Sequence, residues 1–294
     1  MKIDYSCGKV INSRARSIFT VTTTPEGFNN LKDITVILTP GFGKTFRNNL
    51  SCALYLNWNN IRVIRYDNTN HVGKSDGDIS NFDFEEAKDN INAVYNEFYD
   101  ASRSTVLVTP DIMLRAAIRA GAENGKIKEI TGLDGFVNLE RAFFDTNDDL
   151  YKDIGNYAKT DFSELAANYE ESRIKKQPVS ADFIFSVIKN GYMDINSTCA
   201  DARKVNAKII NIIPGDSKQI KIEDNRQILS VTEGGEVYIV PGAENELSAN
   251  PQTAKIAFRQ IVRCILQDGC HKVKMPTILD IIRYNKYERE LELR

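Results

Sequence analysis

Residues 62–77 read RVIRYDNTNHVGKSDG. A short Ile/Val run ends in Arg65-Tyr66-Asp67 and passes into a His71-Val72-Gly73 loop. Apolar residues without alternation over so short a run predict a strand covered on both faces of a sheet. The same reading extends outward to Thr35–Leu38, Thr105–Val108, Glu129–Leu133, Lys208–Ile213 and Glu236–Val240. Between these runs lie stretches of helical character: Phe46–Asn57, Phe84–Tyr99, Ile112–Gly121 and Thr253–Leu266. The last places Ile256, Phe258, Ile261, Cys264 and Ile265 on about one face, with Pro251 near its start. Strands alternating with helices predict an α/β fold, a mostly parallel sheet flanked by helices. Ahead of it, Ile3–Val10 and Ser17–Thr22 are expected to pair as an antiparallel edge hairpin.

The rhythm breaks between about residues 140 and 205. This stretch is polar and dotted with aromatic residues, among them Phe143, Phe144, Tyr151, Tyr157, Phe162 and Tyr169. It reads as helices inserted between two core strands. The expected organisation is a core of residues 1–139 and 206–271, an inserted helical cap of 140–205, and a charged tail of 272–294 that is either a last helix or a loose end. A chain of 294 residues can bury a large core without staples. Its formal net charge of −2 carries no nucleic-acid footprint. No apolar run is long enough for a membrane span or a signal peptide. The five cysteines are scattered, with no CxxC pair, so neither a metal site nor a disulfide framework is expected. No Rossmann fingerprint, P-loop or metal spacing indicates a cofactor. The expected setting is cytoplasmic.

Two further segments bear on function. Thr35–Phe46, TVILTPGFGKTF, carries a buried strand into a Gly-rich loop whose backbone N–H groups could serve an oxyanion. Gly132–Leu139, GLDGFVNL, ends a strand where the insertion begins. Together with Arg65-Tyr66-Asp67 and His71-Val72-Gly73, and with Gly41-Phe42, Gly135 and Pro241-Gly242, these segments resemble the acyltransferase (acyl carrier protein thioesterase) family of bacterial bioluminescence, over about Thr24–Leu266. That family is similar to α/β-hydrolases, and the resemblance implies their fold and an acyl cavity beneath the cap. It implies fatty-acyl (lipid) metabolism, and as partners an acyl chain, acyl carrier protein or a pathway protein. A homo- or hetero-oligomer is compatible with the sequence, but no feature argues for one.

The family's catalysis uses a serine on a strand-to-helix elbow, followed by an acid and a histidine in later loops. In TVLVTPDIMLR, Thr105 to Arg115, register from the strand and the match at Arg115 place Asp111 at the nucleophile position. The flanks are Thr109 and Met113. In VPGAENELSAN, Val240 to Asn250, the histidine position holds Asn245. In IPGDSKQI, Ile213 to Ile220, ungapped register places Ser217 at the acid position, with Asp216 one residue away. An amide such as Asn245 cannot act as a base near neutral pH. Only two histidines are present, His71 and His271, and neither falls at the triad position. The triad therefore reads as degenerate, and the chain as an acyl- or partner-binding pseudoenzyme. The alternative is an acyl transferase or hydrolase working through Asp111.

Asp111 itself has two readings: a carboxylate nucleophile without a histidine to release its ester, or an N-cap of a helix starting at Ile112. Backbone N–H groups of Phe42, in the Gly41–Gly43 loop, and Ile112 are the expected oxyanion donors. His71 fits a structural hydrogen bond better than a base. Arg65, Asp67 and Arg115 are expected to form a buried network under the elbow.

Overall fold

The computed structural model describes residues 2–28, 34–144, 172–174, 177–179, 181–244 and 246–292. The branched runs form strands at nearly the expected bounds: β3 (Thr35–Leu38), β4 (Arg62–Tyr66), β5 (Thr105–Pro110), β6 (Glu129–Leu133), β9 (Lys208–Pro214) and β10 (Glu236–Val240). With the hairpin β1 (Ile3–Ile11) and β2 (Ser17–Pro25) they make one eight-stranded sheet ordered β1-β2-β4-β3-β5-β6-β9-β10. β2 runs antiparallel to both its neighbours, and every pair from β4 to β10 is parallel.

Side chains alternate across this sheet, as the two-residue strand period requires. Ile37, Ile64, Leu107, Ile130 and Ile209 enter the core beneath α2 (Phe84–Phe98) and α3 (Met113–Glu123). Val36, Leu38, Val63, Val106 and Val108 face the other core, under α1 (Leu50–Trp58) and the long helix Pro251–Leu266. A 3-10 turn, Phe46–Asn49, precedes α1. In the helix Pro251–Leu266 the buried stripe is Ala254, Ala257, Phe258, Ile261, Val262 and Ile265, the i, i+3, i+4 rows of one face. Ile256 falls off that stripe and is 48% exposed, which corrects its assignment to the apolar face.

Between β6 and β9 lie α4 (Leu139–Phe144), the small ladder β7 (Ser172–Ile174) and β8 (Gln177–Val179), α5 (Ala181–Lys189) and α6 (Ile195–Ala202). Tyr151, Tyr157, Phe162 and Tyr169 lie outside the described residues. After β9 come α7 (Ile222–Leu229), β10 and α8 (Pro251–Leu266). The tail is helical: α9 spans Ile278–Glu292. It is held by Glu288, which ion-pairs with the fully buried Arg65 of β4, and by Tyr284 and Tyr287, whose rings contact Tyr5 of β1 at 6.0 and 5.2 Å. Among the described residues no helix is long and apolar enough to cross a membrane.

Candidate functional site

β5 ends at Pro110, α3 starts at Met113, and Asp111 turns the chain between them with φ of 47°. A non-glycine residue in this left-handed region costs roughly 1–2 kcal/mol, and Asp is among the side chains that tolerate it. The turn is braced from outside. The Asp111 N–H donates to the Leu133 carbonyl (3.0 Å), and the Asp111 carbonyl accepts from Phe136 N–H (3.1 Å). Such a turn lifts a side chain above the C-terminal edge of the sheet, where α/β proteins build their sites.

The Asp111 side chain does not project into open space. It is 4% exposed, and its carboxylate accepts from Phe42 N–H (3.2 Å to Oδ2, 3.4 Å to Oδ1) and from Met113 N–H (3.2 Å). The helix begins one residue later than expected, so Asp111 binds a first-turn N–H from two residues back, with Ile112 between them already in the helical region. Gly41 makes the contact with Phe42 feasible: a Cβ there would meet Asp111 Oδ2 at 2.6 Å. The Asp111 side chain therefore occupies the Phe42 donor expected to receive an oxyanion. Phe42 is locked by its ring, which lies 5.6 Å from both Phe82 and Phe183 and 5.7 Å from His71.

His71 supports the same loop from behind. Its Nε2 accepts from Gly43 N–H at 2.9 Å, a bond only the deprotonated nitrogen of a neutral ring can make. Burial pushes its pKa down to about 4. A pKa lowered in the fold means the unfolded chain takes up the proton first as pH falls. His71 thus stabilises the fold fully above about 6.5, and that contribution is lost as pH drops towards 4. Between pH 6.5 and 4, the stability advantage of wild type over His71→Gln is expected to shrink by about 3 kcal/mol in urea titrations. Glu129, which burial pushes up to about 7, contributes the opposite slope, so the comparison is made between wild type and variant.

Asp111 lines a cavity of about 910 Å³. Asp134, just after β6, also lines it; it too has positive φ (54°) and is buried. Its Oδ2 accepts from Leu247 N–H at 2.9 Å. Lys44 and Glu246 form an ion pair on the cavity's edge. The walls come from α1, α8 and the segment Met275–Ile281, so the cavity lies on the sheet face away from α2 and α3.

Ser217 and Asp216 do not join Asp111. Ser217 folds its hydroxyl back to accept from Gln219 and Ile220 N–H (3.2 and 3.0 Å), and Asp216 is exposed. Neither lines the cavity, and neither histidine does. His271 meets Asn59 at the end of α1, with Nε2 3.2 Å from its Oδ1. Asn245 lies outside the described residues.

Of the single network expected under the elbow, Arg65 and Asp67 meet through the Phe46 backbone, whereas Arg115 bonds on the other sheet face. Arg65 serves Glu288. Asp67 accepts from Phe46 and Lys74 N–H (2.7 and 2.8 Å). Arg115 reaches Asp201 and the Gly191 carbonyl, both at 2.7 Å. Arg65 and Arg115 sit on different strands and helices of opposite sheet faces, which adjacency in a motif cannot convey.

Asp134, in Gly132–Leu139, belongs to no recognisable motif. Its place after a strand, at the C-terminal edge, was the available signal. Lys44 and Glu246 meet across 202 residues and left no such trace.

A family model described as acyl transferase matches residues 6–269. The chain belongs to the acyl transferase family. Relatives within it include the acyl transferase of Vibrio campbellii, 23% identical over 252 residues, covering 84% of this chain and 79% of that one. The acyl transferase of Photobacterium leiognathi is 30% identical over 118 residues, 40% and 37% of the two chains. Solved structures with the same fold include Est1E from Butyrivibrio proteoclasticus with ferulic acid bound (15% identity, TM-score 0.64, 89% of this chain and 99% of that one). The bromoperoxidase from Bacillus anthracis is similar to the same degree (15%, 0.61, 90% and 100%). The acyl transferase chain thus has the α/β-hydrolase fold, and Asp111 stands at its elbow. Among its described residues no group of three or more His, Cys, Asp or Glu could hold a metal.

Proposed function

We propose that this member of the acyl transferase family binds an apolar chain without turning it over, a pseudoenzyme whose Ser–His–acid triad is lost. The observation that carries the reading is the Asp111 carboxylate on the Phe42 N–H. An oxyanion hole accelerates acyl transfer because its donors wait, unpaired, for charge that develops only in the transition state. Here the elbow carboxyl already takes the hydrogen of that donor. No histidine lines the cavity to generate a nucleophile or to hydrolyse an ester.

The second reading, catalysis through Asp111, rests on the retained elbow: φ of 47° and a side chain lining a 910 Å³ cavity. In it, a carboxylate oxygen attacks the acyl carbon, the thiolate leaves, and water must then cleave the anhydride. Replacement of Asp111 separates the two. Thiol release from a long-chain acyl thioester is expected to stay at the uncatalysed rate in wild type and Asp111→Asn alike. Release above that rate in wild type, abolished in Asp111→Asn, would establish the second reading. Asn is chosen because it tolerates the left-handed backbone.

A further inference from the structure

We propose that α9 and the loop before it dock on an anionic lipid bilayer. Among the described residues eight large apolar side chains stand exposed, and five of them fall within residues 275–287. Ile278 and Leu279 are 77% exposed, Ile282 59%, Tyr287 44% and Met275 39%. Such side chains scattered singly are ordinary, but a cluster of them marks an interaction surface. The helix has a buried side as well: Ile281 and Tyr284 pack against Ile3, Leu50 and Leu54, and Glu288 pairs with Arg65. By helical spacing Ile278, Ile282, Lys286 and Arg289 fall in one row on the side left to solvent, with Leu279 and Arg283 beside it.

Charge selects the partner. Lys272, Lys274, Arg283, Lys286 and Arg289 are all exposed, whereas Glu290 is the one exposed acid between residues 272 and 290 and reaches Lys286 only at 4.0 Å. Asp280 is half-buried and accepts from Thr277, and Glu288 is buried against Arg65. The formal net charge of −2 for the whole chain hides this local excess. Apolar side chains sharing a helix face with cations suit an interface of acyl chains and anionic head groups, where each cation strengthens binding roughly fivefold. A second copy meeting the same patch would set like charges against one another. Met275 and Ile278 also line the cavity, so its wall reaches solvent within the patch. Docking there gives an apolar chain a path between bilayer and cavity that avoids water. The inference goes beyond the binding reading above and holds whether or not the bound chain is turned over.

Co-sedimentation of the full chain with sized vesicles tests this. One set is phosphatidylcholine alone, the other phosphatidylcholine and phosphatidylglycerol in equal parts. Expected is binding about tenfold or more tighter to the anionic set, weakened by added salt. Leu279→Ser with Ile282→Ser removes apolar contact at residues that do not line the cavity, and is expected to weaken binding about tenfold or more. Arg283→Glu with Lys286→Glu is expected to do the same on the anionic set. Lys126→Glu with Lys128→Glu, two exposed lysines just ahead of β6, makes the same charge change and is expected to leave binding within about twofold of wild type. All these side chains are exposed, and circular dichroism confirms the fold of each variant. Equal binding to both sets, no binding to either, or binding indifferent to both patch variants overturns the proposal. A concentration-dependent dimer that Leu279→Ser with Ile282→Ser disperses, without vesicle binding, overturns it in favour of a second copy. Thioester turnover by the same preparation bears on the non-catalytic reading alone.

Discussion

Replacing Glu288 with alanine is expected to destabilise the protein by about 3–5 kcal/mol, although Glu288 lies in α9, the last described helix. Arg65 is fully buried on β4, and its guanidinium donates to both Glu288 oxygens as well as to the Phe46 carbonyl at 3.4 Å. Removing the carboxylate leaves that cation in the interior with a single long hydrogen bond, and the desolvation penalty is then uncompensated. Denaturant titration reads the loss as a lower midpoint. Glu288→Leu combined with Arg65→Met removes both charges and is expected to recover most of it, because matched apolar groups carry no such penalty. Lys286→Ala on the solvent face of the same helix serves as control and is expected to change stability by less than about 0.5 kcal/mol. Since α9 carries Ile281 into the cavity wall, Glu288→Ala is also expected to loosen the cavity's outer side.

The second large effect is expected at Asp201, about 3–5 kcal/mol for Asp201→Ala. One oxygen, Oδ2, accepts from Arg115 Nη2 at 2.7 Å and from Arg119 Nε at 2.5 Å. Arg115 is fully buried, sits in the first turns of α3 and lies over the Tyr192 ring, with its guanidinium carbon 4.9 Å from the centroid. Without Asp201 it keeps the Gly191 carbonyl but not its counter-charge. Asp201→Asn retains an acceptor and is expected to cost less than alanine, which separates lost hydrogen bonding from lost charge. Because α3 follows the elbow directly, part of the loss is expected as faster amide exchange in residues 112–116, whereas Glu288→Ala leaves those amides protected.

Local patterning made most of the scaffold legible. Short Ile/Val-rich runs such as Arg62–Tyr66 and Lys208–Ile213 read as strands of a covered parallel sheet, and Ile3–Val10 and Ser17–Thr22 pair as the expected edge hairpin. The elbow position was legible for a related reason: Asp111 follows a strand and precedes a helix, so chain order alone sets it at the sheet's edge. What sequence could not supply is where side chains go after the turn. Whether the Asp111 carboxylate points outward or back onto Phe42 N–H depends on Gly41, seventy residues earlier in the chain, leaving room for it. Arg65 and Arg115 look alike as buried cations, yet one finds its partner in the C-terminal helix and the other in α6. Helix α9 was undecided because its apolar residues do not form one stripe. Ile278, Leu279 and Ile282 are exposed while Glu288 is buried, the reverse of the usual amphipathic rule. Asp134 was missed because an acid after β6 has no motif of its own and gains meaning only from the cavity it shares with Asp111.

Non-catalytic binding with Asp111 occupying its own oxyanion site is the central claim, and intact-protein mass spectrometry tests it most directly. The purified chain would be held with a saturating long-chain acyl thioester and measured before and after denaturation, with free thiol followed in parallel. The account predicts an unmodified covalent mass and thiol release no faster than in buffer. An acyl adduct that maps to Asp111, or thioester turnover that depends on it, would contradict the account.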